Sequence, residues 1–142
     1  MYTYEHKTHV EAPVEHVFDY VQTAENWLST PENGVRNVER REERTDGYLL
    51  DLTYRIATIE FSRQVELTVE EPNKHLVSTI RGGGVNSRLE YYFLPNYGGT
   101  KVVQRATYEL PGVYRALKPV VARHAANFFE KLHVDIRAEL ET

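Results

Sequence analysis

The residues with the most chemistry to offer are His124, Arg63 and a set of tyrosines, with Gln104 among them. An imidazole has an ordinary pKa of about 6.5 and can move a proton at neutral pH. A guanidinium on the inward side of a strand needs a partner, because a buried unpaired charge is very costly. Arg63 stands in register with Phe61, Val65 and Leu67 in "IEFSRQVELTVEE", the side read as inward. A pocket carboxylate, a tyrosine, or an anionic or carbonyl-bearing ligand would satisfy it. A β-bulge or strand end that turns Arg63 to solvent is the competing reading. Tyr54, Tyr91, Gln104 and Tyr108 fall on faces that are also candidates for the inside. Around a cavity they would supply hydroxyls and an amide to orient a polar group. Otherwise they are plain packing.

His124 lies in "LKPVVARHAANFFEKLHVDI". Val121, Ala125, Phe128, Leu132 and Ile136 share one face of that helix, and His124 sits roughly 80° from its middle. From this flank it either looks into a pocket, as acid/base or ligand contact, or is a half-buried histidine bonded to backbone. Trp27, beside the turn chemistry of "NWLSTPENG", either caps a pocket mouth or anchors a short helix. Other candidates carry little. His6 and His9 are three apart on a strand and point to opposite faces, so one metal ion cannot easily use both. The triple glycine at Gly82 to Gly84 is flanked by strands and reads as a hairpin tip, not a phosphate cradle. The serines lack a nucleophile-elbow signature.

These side chains need elements to hold them. Tyr2 to Glu11 alternates as a strand. Pro13 opens a helix with Val14, Val17, Phe18 and Val21 on one face, and a second short helix follows. From Val35 to Leu110, alternating segments are cut by Asp46-Gly47, Pro72-Asn73, Gly82 to Gly84 and Asn96 to Gly99, which predicts a meander of six antiparallel strands. A long helix then runs to about Glu141; thirty helical residues would span roughly 45 Å. Such a sheet has one wet face and one that needs cover.

Length and composition limit the function classes. The 142 residues suffice for one domain spanning residues 1–142 with one core. A net charge of −4 gives no reason to expect nucleic acid or an anionic membrane as partner. The absence of cysteine excludes a thiol nucleophile and cysteine-bound zinc. Nothing approaches signal-peptide or membrane-span length, so a soluble cytoplasmic protein is expected.

Three stretches then carry a resemblance. "VEAPVEHVFDYV", "LEYYFLPNYGGTKVVQRATYEL" and "LKPVVARHAANFFEKLHVDIRAELE", in this order, resemble the START and Bet v 1-like (SRPBCC) superfamily, in particular its polyketide cyclase/dehydrase-like members. The family's acidic residue ahead of Trp27 is missing. The resemblance implies an α+β helix-grip fold, β-αα-β6-α, with a curved antiparallel sheet around the C-terminal helix and a cavity for hydrophobic ligands between them.

The leading expectation is a protein that binds a hydrophobic or aromatic, lipid- or polyketide-like small molecule. Arg63, Tyr54, Tyr91, Gln104, Tyr108, His124, Trp27, Phe61, Val121 and Phe128 are the expected contacts. The alternatives are a cyclase, dehydratase or aromatase, with His124 moving a proton and Arg63 or a tyrosine polarising a carbonyl, and a partner-binding or quinone-chaperone-like domain. None of these readings calls for a cofactor or a metal ion. Oligomeric state is left open.

Overall fold

The computed structural model describes residues 2–28, 35–56, 59–81, 86–109 and 118–141. Among them the chain order is one strand, two helices, six strands and one helix: β1 (Tyr2–Val10), α1 (Val14–Gln22), α2 (Glu25–Leu28), β2 (Val35–Arg44), β3 (Gly47–Ile56), β4 (Ile59–Glu71), β5 (His75–Arg81), β6 (Asn86–Asn96), β7 (Gly99–Glu109) and α3 (Lys118–Leu140). The helix expected at the C-terminus is described over 23 residues. The part of that expectation before Lys118, like the Gly82 to Gly84 turn, lies outside the described residues.

All strands join one antiparallel sheet in the order β1-β7-β6-β5-β4-β3-β2. The hairpin meander thus closes back on the first strand, and β2 and β1 form the two edges. Strand alternation fixes one apolar face. Leu50, Val65, Ile80, Leu89, Val102 and Ala106 are buried there, in register across neighbouring strands. Charged residues take the other face, where Arg105 pairs with Glu5 and Arg88 with Glu90.

Helix α1 lays Val17, Phe18 and Val21 on one end of the inner face. Phe18 meets Phe93 edge to face, with ring centroids 5.3 Å apart. Helix α3 buries Leu132 and Ile136. Its C-terminal end is clasped to β1: Arg137 donates to the Thr8 hydroxyl at 2.6 Å and to the His9 carbonyl, while Glu141 accepts from the Glu11 amide at 2.9 Å.

One side chain joins the helices to the far edge of the sheet. The Tyr48 hydroxyl on β3 donates to the Gln22 carbonyl, at the last residue of α1, and accepts from the Ala24 amide at 2.8 Å. These are orphan groups of a helix end and of the turn after it, and they would otherwise be buried without partners. Arg40 of β2 stacks over the Tyr48 ring, 3.8 Å from its centroid, and makes a two-pronged contact with Glu25 of α2. Tyr48→Phe removes both hydrogen bonds and strands the buried Ala24 amide. Urea denaturation should show a loss of about 1–3 kcal/mol. A variant as stable as the parent would show that this tie carries no weight.

Candidate functional site

The register of the strands determines which polar side chains share the inner face. His6 of β1 lies opposite Gln104 of β7, and Gln104 lies opposite Tyr91 of β6. Two residues further along the sheet, Tyr4, Ala106, Leu89, Ser78 and Leu67 form the next row. Beyond it run Tyr108, Ser87, Ile80, Val65 and Leu50. The apolar residues of these rows are core, so the polar ones among them face the same interior.

The polar members form a closed outline. His6, Gln104 and Tyr91 bound it at one end, Ser78 at one side, and Ser87 and Tyr108 at the other end. Leu89 and Ala106 lie inside it. Adjacent strands are about 4.8 Å apart, so the outline spans about 15 Å from His6 on β1 to Ser78 on β5. Gln104 and Tyr91 are each 1% exposed, and Ser78 is fully buried. The Tyr91 hydroxyl, the Gln104 amide nitrogen and His6 Nδ1 are all shut off from bulk water. The Ser78 hydroxyl has no hydrogen-bond partner among the described residues. A buried donor left in that state costs about 1–3 kcal/mol, which a bound oxygen atom would recover.

Of the residues expected from the sequence, Tyr91, Gln104 and Tyr108 are brought together here. Arg63 pairs with Leu52 and precedes Val65 on the same inner face, half-buried, with its Nε out of contact with solvent. It lies on β4, one row beyond Ser87 and Tyr108, outside the outline, whose polar residues come from β1, β5, β6 and β7. The side chains of Trp27, Tyr54, Phe61, Val121, His124 and Phe128 lie outside the described ones. Ser78, Ser87 and His6 are additions that the sequence reading does not supply. Their signal is present in the alternation: Ser78 is in phase with Leu76 and Ile80, and Ser87 with Leu89 and Phe93. The described residues contain no group of three potential metal ligands.

The electrostatics of the outline favour neutral hydrogen bonding. Burial pushes the Tyr91 phenol far above its usual range, and the nearby Tyr108 adds to this. Tyr91 therefore stays a protonated donor at any physiological pH.

The whole-chain comparison agrees with this architecture. Residues 1–141 match the family described as polyketide cyclase / dehydrase and lipid transport. The chain belongs to this family. Several solved structures share its fold. TTHA0849 from Thermus thermophilus is 18% identical with a TM-score of 0.77, covering 96% of this chain and 95% of that one. A START superfamily protein from Mycobacterium smegmatis is 14% identical at TM-score 0.71, covering 98% and 97%. The di-domain ARO/CYC StfQ from the steffimycin biosynthetic pathway is 14% identical at TM-score 0.73; 98% of this chain covers 50% of that one. At these identities the likeness is one of fold. No curated protein matches the sequence.

The position of Tyr91 predicts a pH dependence. Its phenol ionises near pH 10 when unfolded and well above that when folded. Above about pH 10 the unfolded chain therefore binds fewer protons than the folded one, and stability falls as pH rises towards the folded value. Below the unfolded pKa this contribution is fully present. Tyr91→Phe should flatten the alkaline decline in a pH series of urea midpoints. An equally steep decline in the variant would place its source elsewhere.

Proposed function

We propose that this member of the polyketide cyclase/dehydrase family binds an apolar or aromatic small molecule that carries hydroxyl or carbonyl groups. The ligand lies against the inner face of the sheet, gripped from the other side by α3. The observation that carries this reading is the outline of Gln104, Tyr91, Ser78, Ser87, Tyr108 and His6 around Leu89 and Ala106. Apolar surface supplies affinity in such a site, and a few placed polar groups supply orientation. A buried hydroxyl is costly unless something hydrogen-bonds it, and Ser78, without a partner among the described residues, shows that cost directly.

A second reading is supported by the state of Tyr91. A phenol held protonated beside a carboxamide can donate to a substrate carbonyl and polarise it, as a cyclase or aromatase requires. StfQ, which shares the fold, is an ARO/CYC protein. In this version His124 and Arg63 are the further candidates, the first for proton transfer and the second for an enolate or carboxylate.

Binding of 1-naphthol and naphthalene, followed by calorimetry, separates apolar from polar recognition. The parent protein should prefer 1-naphthol. Gln104→Leu with Tyr91→Phe should weaken 1-naphthol about fivefold, the worth of one hydrogen bond, and leave naphthalene nearly unchanged. Failure of the parent to bind either compound would end the proposal.

A further inference from the structure

A cleft of about 460 Å³ lies between the α1–α2 junction and the β2–β3 hairpin. Its floor is Phe18 of α1 with Tyr48, Leu67 and Val69 of the inner face. Its rim carries Arg40, Glu43, Arg44 and Asp46. The cleft therefore ends on Leu67, in the same row of the inner face as Ser78. Leu67, in its floor, is the cross-strand partner of Ser78, whose hydroxyl is fully buried and has no partner among the described residues.

The charges at the rim restrict what can enter. Arg40 is held by Glu25 and Glu43, each at 2.8 Å, and Arg44 lies 3.6 Å from both Glu42 and Glu66. With Asp46, five carboxylates surround two guanidinium groups whose charges are already matched. An anionic head would meet a surplus of negative charge. Deeper in, Ser78, Tyr91 and Gln104 are neutral, so a cation travelling inward would find no counter-charge among them. Hydrogen-bonding groups without charge suit both ends: Thr45 and Gln22 at the cleft, Ser78 beneath it.

We propose that this cleft is the head-group end of the ligand site. It takes an apolar molecule with an uncharged, hydroxyl-bearing head, whose body runs over Leu67 towards Ser78. This inference rests on the binding function proposed above and adds the class of ligand and its direction.

The test uses N-phenyl-1-naphthylamine as a neutral fluorescent reporter of the interior. Three competitors share one chain: 1-O-decylglycerol, decanoate and decyltrimethylammonium. Decylglycerol should displace the reporter at least tenfold more effectively than either charged compound. Val69→Phe, which fills the floor, and Thr45→Trp, at the exposed hairpin turn, should each weaken decylglycerol about tenfold. Both should leave reporter binding within about twofold, so a fold damaged by the larger floor residue is recognised from the turn variant. Equal potency of the three heads, a preference for a charged one, or undiminished decylglycerol binding in the turn variant would overturn the assignment. A parent protein that does not bind the reporter at all would instead defeat the underlying binding function, and this inference with it.

Discussion

The phase of the strand alternation governs the rest of this structure. From β3 to β7, and on to β1, the inward residues of each strand face the inward residues of the next, except at the bulge after Val69. A slip of one residue in any strand would turn its whole inner set outward. Leu50, Val65, Ile80, Leu89 and Ala106 hold that phase because each loses water only in this register. Ser78, Ser87, Gln104 and Tyr91 are carried inward with them. Packing thus forces polar groups into the interior at chosen places. The site is a by-product of the same constraint that makes the core.

Of three irregularities in the described pairings, one lies between Val35 and Asn37 and the other two border the cleft. A bulge between Arg40 and Glu42 adds a residue to β2, so Arg40 faces Leu50 and Glu43 faces Tyr48. In a regular strand residues three apart point to opposite faces. Here the guanidinium and the carboxylate lie on one side and bond at 2.8 Å. A second bulge near Val69 and Glu71 bends β4 where it meets the cleft floor. The ion pair is worth little in itself, since both side chains stay partly solvated. Its consequence is positional. Arg40 is fixed over Tyr48, and Tyr48 fixes the end of α1.

Much of this is legible in the sequence. The seven strands are readable because alternation and turn residues coincide at nearly every boundary, as at Asp46-Gly47 and Pro72-Asn73. Tyr91, Gln104 and Tyr108 can be placed inside because each alternates with apolar neighbours. Ser78 and Ser87 obey the same rule, but a small hydroxyl in a strand is so often on the wet face that alternation alone does not single them out. Arg63 stands between two readings, and its half-buried place on the inner face satisfies neither fully. The Arg40–Glu25–Tyr48 unit cannot be read at all. "VERREE" looks like a balanced, solvated edge, and β2 is indeed an edge strand. Arg40 is in phase with Val38 and faces Leu50, and it is the bulge after it that brings Glu43 to the same side; a bulge leaves no mark in residue type when every residue around it is charged.

The distribution of charge separates two kinds of recognition in one small fold. On the outer face and along the β2 edge, carboxylates and guanidinium groups pair in water, as Glu5 does with Arg105 and Glu66 with Arg44. On the inner face the polar groups around Leu89 and Ala106 are an amide, hydroxyls and an imidazole. Burying an ion there would cost several kcal/mol that no facing charge offsets. Neutral groups are costly only when their hydrogen bonds go unmade, a cost that a ligand of matching shape removes. On the binding function proposed here, selectivity of the interior would turn on the number and position of oxygen atoms in the ligand, because a displaced oxygen leaves both itself and the Ser78 hydroxyl unsatisfied. Arg63, one row beyond Ser87 and Tyr108 and bordered by Leu52 and Val65, is the exception that marks where this neutral region ends.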